Sequence, residues 1–474
     1  MSPAPAETIS PRGARALVLG LGRFGGGLGV ARWLLAEGAR VCVTDRLPRA
    51  DLAAAADELE RAGAELVLGG HEGLDPADFD LVVVNPAVPQ SAPLVRAARQ
   101  AGTRVTSEMS LLLERWPGPV LGITGSNGKS TTVSLTEALL KAAGCPVRAG
   151  GNLGGSLLPE LAGLAPGTVA VLELSSFMLE VSGPLGLGPD VAVITNITPN
   201  HLDRHGNMAS YREAKAQVLV RARVAVLPPD AELGGPLDLP PGCAPLRFGP
   251  AGAGIDLGLD VSGHLTDAGG SRRLSTSALA LPGHSARLDL AAALLAAGAL
   301  IGDPAAIDAA LPQALAAWRP LRHRFERLAR LDGVTWVDDS ASTTPESTAA
   351  SLAAVEGPCL LIVGGRDKGL SPEPLLAAAA KRCRLVLALG EQGPDLAAAL
   401  GERGVEAEDV GTLELAVGRA AALAAPGDTV LLSPGYSSHD QFPHFEARAE
   451  AFRRLVRVLA ADGSAPLSPP AAEC

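Results

Sequence analysis

The chain has 474 residues, 47% hydrophobic and 19% charged. That is material for about three domains of roughly 150 residues with real cores, and it excludes a disordered chain or a small disulfide scaffold. Aromatic residues are only 3% and the formal net charge is −11, which excludes a basic, base-stacking nucleic-acid binder but not a locally basic pocket for an anionic small molecule. Only five of the forty basic residues are lysines, Lys129, Lys141, Lys215, Lys368 and Lys381, so each one is worth following.

The six cysteines form no CxxC pair and no His/Cys ligand spacing, and they read as reduced thiols of a cytosolic protein. The N-terminus has no basic stretch followed by an apolar run, and Leu290–Ile301 is about half of a membrane span. The expected protein is soluble, cytoplasmic and monomeric, and binds small molecules rather than nucleic acid or membrane.

Strand-like apolar runs alternate with Ala/Leu-rich helical segments, the pattern of α/β units on parallel sheets. A first domain is expected over 12–115, with strands at 14–19, 40–44, 65–68 and 81–84 and a helix through Leu35. The Trp116-Pro-Gly-Pro119 break opens a second, over 116–319, with strands at 120–124, 169–174 and 191–196. A Gly/Pro-rich stretch (228–284) holds shorter strands, and a helical run over 286–300 leads to Pro304 and Pro312. The third domain, 320–463, carries strands at 335–337, 359–363, 385–389 and 429–432. The Ser/Pro/Ala tail, 464–474, is expected to be disordered.

Gly20-Leu-Gly22-Arg23-Phe24-Gly25 follows a strand and opens a helix, with Asp45 ending the next strand. This is the dinucleotide-binding pattern in its proper context, and taken alone it favours an NAD-linked oxidoreductase. The stronger signal is Thr124-Gly125-Ser126-Asn127-Gly128-Lys129-Ser130-Thr131. Backbone N–H groups of such a loop cradle phosphates, the lysine reaches the terminal ones, and the serine hydroxyl suits Mg²⁺. Ile123 stands where an ordinary P-loop has its first glycine, so the loop is a shortened relative. Glu173 at a strand end, His201 after the next strand and Lys215 on a following helix fall where an ATP–Mg²⁺ site at the carboxyl edge of a parallel sheet needs them.

These motifs, with Glu173-Leu-Ser-Ser-Phe177, His201 with Asp203, and Tyr211-Arg-x-x-Lys215, resemble the Mur ligases of peptidoglycan synthesis, whose cousin is folylpolyglutamate synthetase. Leu321-Arg-His323-Arg324-Phe-Glu326, Asp339-Ser340 and Leu431-Leu-Ser-Pro434 running on to Ser438 and Phe445 are most similar to the glutamate-adding branch. The resemblance covers essentially the whole chain. It implies a Rossmann-like first domain that takes a UDP-linked substrate through Gly22, Arg23, Phe24 and Asp45, with Asn152 as a further contact. It implies a central P-loop-type domain with a mostly parallel sheet that holds ATP on Gly125–Thr131, and Mg²⁺ on Ser130, Glu173, His201 and a carbamylated Lys215. Lys129, Lys215 and His201 are the implied catalytic set. A Rossmann-like last domain then brings Arg324 and Asp339 to the nucleotide, and Lys368, Ser438 and Phe445 to the incoming amino acid. The implied reaction is ATP-dependent addition of D-glutamate to UDP-N-acetylmuramoyl-L-alanine through an acyl phosphate. The same ligation with L-glutamate, and a folylpolyglutamate synthetase-like ligase, are the alternatives.

Three positions depart from the family. Ala341 follows Asp339-Ser340 where a lysine is common, so the stereochemistry of the glutamate stays open at this point. His284-Ser285-Ala-Arg-Leu288 replaces an Asn-containing motif near the adenine, and Met178 replaces a glutamine.

Overall fold

The computed structural model describes residues 10–22 and 26–462. Three sheets divide the chain. The first joins β1 (Arg15–Leu19), β2 (Arg40–Asp45), β3 (Glu65–Leu68), β4 (Leu81–Val84) and β5 (Arg104–Thr106) in the order 3-2-1-4-5. All its pairs are parallel, and the order is that of the first five strands of a doubly wound dinucleotide-binding sheet. Valine- and leucine-rich strands such as Leu81–Val84 are buried on both faces, as helix-covered parallel strands must be.

The second sheet has nine strands. They are β6 (Val120–Thr124), β7 (Val147–Gly151), β8 (Val169–Glu173), β9 (Val191–Ile194), β10 (Val224–Leu227), β11 (Ala244–Pro250), β12 (Leu257–Leu259), β13 (His264–Thr266) and β14 (Arg273–Ser275). Their order is 14-13-12-11-10-9-6-8-7, parallel from β7 to β12, with only the β12–β13 and β13–β14 pairs antiparallel at one edge. Against it packs the helix His284–Ile301, long and apolar enough by composition to cross a membrane but with 56% of that stretch buried. Its alanines and leucines from Leu290 to Ala297 fill the space between the sheet and the helix Lys129–Ala142.

The third sheet joins β15 (Glu326–Leu331), β16 (Val334–Asp338), β17 (Cys359–Gly364), β18 (Cys383–Leu389), β19 (Ala407–Gly411) and β20 (Thr429–Leu432) in the order 15-16-20-17-18-19. It is parallel except for the β15–β16 hairpin. Strands absent from the sequence expectations include the edge strands β7, which reads Val-Arg-Ala-Gly-Gly, and β19, which reads Ala-Glu-Asp-Val-Gly. Edge positions beside a pre-formed neighbour accept residues of weak strand preference. The tail 464–474 lies outside the described residues.

One apolar core runs unbroken from the first domain into the second, through Trp33, Leu112, Trp116, Val120 and Leu172. Trp116, at the end of the linker helix Glu108–Arg115, also donates its Nε1–H to the Thr168 carbonyl at 2.8 Å. The first two domains are therefore fixed to each other by burial as well as by the chain. Trp116→Ala is expected to cost about 3–5 kcal/mol from lost packing. Trp116→Phe, which forfeits chiefly the hydrogen bond, should cost about 1 kcal/mol. Urea unfolding of the two variants side by side measures the difference.

Candidate active site

The first pocket grows from the turn after β1. Gly20 and Gly22 have φ of +92° and +69°, conformations that favour glycine. A Cβ on Gly20 would stand 3.0 Å from Asn85 Cβ and 3.1 Å from Val88 Cγ2, so the 85–88 turn packs directly on this glycine turn. Asp45 ends β2, and its carboxylate accepts from the Gly22 N–H at 3.0 Å and the Leu47 N–H at 2.9 Å. Asp45 thus holds the turn and lines the cavity beside it. Around them lies a cavity of about 450 Å³, lined by Gly20, Gly22, Asp45, His71, Asn85 and Val88 among others. That size suits a nucleotide-sized ligand. Arg23 and Phe24 lie outside the described residues.

The second site sits at the carboxyl ends of β9, β6 and β8, where Ile123 is level with Glu173 and Thr124 with Ile194. The loop 125–128 is strapped to the segment after β9. Ser126 N–H donates to the Asn196 carbonyl at 2.9 Å, Asn127 N–H to Asn196 Oδ1 at 3.0 Å, and Thr195 Oγ1–H to the Asn127 carbonyl at 2.5 Å. There is no room for a side chain at two of its glycines. Gly125 (φ +147°) would place a Cβ 1.8 Å from Thr195 Oγ1, and Gly128 (φ +82°) one 2.3 Å from Asp289 Oδ1.

Lys129 Nζ donates to the Gly125 and Ser126 carbonyls at 3.0 and 2.8 Å. Ser130 Oγ–H donates to Glu173 Oε2 at 2.5 Å, and Asn152 Nδ2–H to Glu173 Oε1 at 2.8 Å. A hydroxyl and a carboxylate together at the end of a phosphate loop are the hard oxygen donors that a divalent cation such as Mg²⁺ prefers. Asn152 stands beside Glu173 and does not line the first-domain cavity.

Lys215 is 2% exposed. Its Nζ donates to the Gly125 carbonyl at 2.6 Å and lies 4.7 Å from the centre of the Tyr211 ring, one helical turn back. Burial, with the Lys129 cation second, pushes its pKa well below the usual lysine value, so the amine is readily unprotonated. His201 caps the short helix Leu202–His205 with φ +53°. Burial, reinforced by Lys368, Lys129 and Lys215, lowers its pKa to about 4. It is a neutral imidazole at pH 7, able to ligate or accept but not to supply charge.

The third domain meets this site through Arg324, whose Nη2–H donates to Ser130 Oγ at 2.9 Å. Arg324 stands between two left-handed residues, His323 (φ +64°) and Phe325 (φ +48°). The strained turn is held from below: His323 Nδ1 pairs with Asp338 at 2.7 Å, and the Phe325 N–H donates to Asp339 Oδ1 at 3.1 Å. Asp339 is 4% exposed and also accepts from the Ser351 and Ser433 hydroxyls at 2.6 and 2.7 Å. Its position is that of a buried hub beneath Arg324.

His323, Glu326 and Asp338 bring potential ligand atoms within 4.8 Å of one another. Glu326, however, is already paired with Arg453 at 2.6 Å. The cluster carries its own buried cation and has the character of an internal salt bridge.

Lys368 Nζ donates to Thr343 Oγ1 at 3.0 Å. Its loop pairs with the segment before Ser438 through the reciprocal Arg366–Ser437 backbone bonds of 2.8 and 3.1 Å. Burial, then the Arg448 charge, lowers the Lys368 pKa to about 8. Arg448, 1% exposed, donates Nε–H to Ser340 Oγ at 3.0 Å, and Ser340 Oγ–H donates to the Phe445 carbonyl at 2.9 Å. Lys368, Ser438 and Phe445 thus share one edge of the third domain.

Sequence reasoning missed Asn85, Thr195, Asn196, Asp289, Thr343 and Arg448. Asp289 carried a signal, as a charge leading into the apolar run 290–297, whereas Arg448 is one of several arginines on a charged helix. The others are ordinary loop residues by composition. Gly128→Ala is expected to weaken nucleotide binding by about 100-fold or more, because it forces both a strained φ and a clash with Asp289. Calorimetric titration with ADP, beside a far-ultraviolet spectrum that stays native, checks it.

Models of three families match the chain: the Mur ligase MurD-like N-terminal domain over 14–107, the Mur ligase middle domain over 123–235, and the Mur ligase glutamate ligase domain over 323–436. The UDP-N-acetylmuramoylalanine–D-glutamate ligase of Symbiobacterium thermophilum is 36% identical over 465 residues, covering 94% of this chain and 98% of its own. That of Frankia casuarinae is 39% identical over 469 residues, covering 95% of each. Among solved structures, the UDP-N-acetylmuramate–alanine ligase MurC of Thermotoga maritima superimposes with a TM-score of 0.60 at 19% identity, over 94% of this chain and 99% of its own. The MurF ligase of the same organism, in complex with ADP, gives 0.58 at 20% identity over 88% and 95%. These two support the fold alone, whereas the full-length relatives and the domain models together establish that the chain belongs to the Mur ligase family.

Proposed function

We propose that this protein is an ADP-forming ligase that adds D-glutamate to UDP-N-acetylmuramoyl-L-alanine in cytoplasmic peptidoglycan precursor synthesis. The observation that carries this reading is three separately built features joined by contacts between domains, with Arg204 reaching the 86–88 carbonyls beside the first-domain cavity and Arg324 reaching Ser130. The features are the nucleotide-sized cavity of the first domain, the phosphate loop with Ser130 and Glu173 in the second, and the Lys368–Ser438–Phe445 edge of the third. The full-length relatives add support for glutamate as the incoming amino acid. The working divisions are 12–115 for the UDP-linked substrate, 116–319 for ATP and 320–463 for the amino acid, in a monomer.

A carboxylate at pH 7 is a poor electrophile, so the alanyl carboxylate oxygen first attacks the γ-phosphorus of ATP and ADP leaves. The glutamate amine then attacks the acyl carbon, and phosphate departs through a tetrahedral intermediate. Loop N–H groups and Lys129 hold the phosphates in line, Arg324 reaches the same loop, and Lys368 with Ser438 orients the amino acid. Mg²⁺ on Ser130 and Glu173, and a second ion near His201, would neutralise charge as it builds on the transferred phosphoryl group. The unprotonated Lys215 amine can attack carbon dioxide, forming an N–C bond and releasing a proton. The resulting carbamate changes the residue from a cation to an oxygen-rich anion suited to such an ion.

Phosphate release is the direct test. Wild-type protein with ATP, Mg²⁺ and UDP-N-acetylmuramoyl-L-alanine should turn over with D-glutamate and not with L-glutamate, and silence with D-glutamate sinks the proposal. Lys129→Ala should abolish turnover. Lys215→Ala should lose it but regain part with added short carboxylates; full activity without them rejects the carbamate.

The Lys368 ammonium is lost as pH rises through about 8. The KM for glutamate should therefore climb up to about tenfold per pH unit above that value. A pH–KM profile measures this, and in Lys368→Arg, whose charge persists, it should be flat.

A further inference from the structure

We infer that Arg204 is a positioning residue that couples the first-domain cavity to the His201 site, so that the seating of the UDP-linked substrate sets the geometry of the reaction centre. This rests on the reading that the cavity takes the UDP-linked substrate. Arg204 lies three residues after His201, on the same single-turn helix. Its guanidinium reaches out of the second domain and into the first. Nη1–H donates to the Ala87 carbonyl at 2.9 Å, and Nη2–H donates to the Val88 carbonyl at 3.1 Å and the Pro86 carbonyl at 3.4 Å. Those carbonyls belong to the 85–88 turn, whose Asn85 and Val88 side chains press on Gly20 of the cavity floor. The turn keeps its own shape through the Asn85 side chain, which accepts from the Ala87 N–H at 3.0 Å, so what moves Arg204 moves the wall as a unit.

On its other side the same guanidinium is anchored to the reaction centre. It sits 4.8 Å from the centre of the Phe177 ring, and Phe177 meets His201 edge-on at 5.1 Å. Glu180 accepts from Arg204 at 3.4 Å and faces His205 at 3.3 Å; His205 in turn pairs with Ser176 at 2.9 Å and stacks on Phe177 at 5.4 Å. Arg204 thus ties three main-chain carbonyls of one domain to the aromatic support of His201 in the other. A planar, always-charged fork with several donors is the group that can do this. A lysine could reach one or two of the carbonyls but could neither span all three nor stack on the ring. The left-handed backbone of His201 makes the coupling effective, since a residue in that conformation holds it only while its surroundings insist.

The test uses the full-length protein and the variants Arg204→Met and Arg204→Lys. Calorimetric titration with UDP reports the cavity, and steady-state phosphate release gives kcat and the KM values for ATP and the UDP-linked substrate. For Arg204→Met, UDP affinity should fall about tenfold, kcat should fall about tenfold at saturating substrates, and the KM for ATP should stay within about twofold. Arg204→Lys should recover part of the UDP affinity but little of kcat, because it restores charge without the fork. A purely structural residue would instead lower the melting temperature and shift both KM values together. That result, or unchanged UDP affinity in Arg204→Met, overturns the proposal. Wild-type protein that does not bind UDP overturns the reading of the cavity as well, so the two failures are told apart.

Discussion

The central domain is organised around a glycine loop, 125–128, whose backbone lies directly against its neighbours. That requires the space above Gly125 and Gly128 to hold nothing larger than hydrogen, since Thr195 and Asp289 already fill what lies beyond. The strap from Thr195 and Asn196 keeps the loop open, and the helix His284–Ile301 delivers Asp289 to its rim. The small side chains of that helix follow from the same constraint. Alanines at 291, 292, 293, 296 and 297 let it lie close enough to the helix Lys129–Ala142 for a short carboxylate to reach Gly128. Larger residues would lift it away, because interiors are packed with little slack.

The charges around this loop are arranged against their own preference. Two lysine amines share the Gly125 carbonyl, and Arg324 comes to Ser130 from another domain. Lysines held this way resist protonation, and the cluster is at ease only when anions enter it. Burial first, and these neighbouring amines second, hold His201 neutral at pH 7.

Much of this was legible beforehand because it rests on local chemistry. The glycine loops, the β-strand runs and the acidic, imidazole and amine residues at strand ends each follow from what a single turn or strand end must do. Three α/β domains, four of the five strands of the first sheet and the phosphate loop needed nothing more. What stayed hidden depends on partners distant in sequence. Asn85 matters because it packs on Gly20, Thr343 because Lys368 lies beside it, and Asp45 because two backbone donors hold it beside the turn after β1. Strands such as β7 and β19 were illegible for the same reason, since their neighbours supply the order their own residues lack.

The turn that presents Arg324 is supported from the far end of the chain. Glu326, which accepts from the His323 N–H at 3.0 Å, is held by Arg453 on the helix Phe445–Asp462, the last described element. Chains fold from the N-terminus as they are made. While the last helix is still being synthesised, the phosphate loop can already be complete, yet the arginine that must reach it has no rigid perch. The turn that carries Arg324 is therefore finished only when the last helix has docked against it.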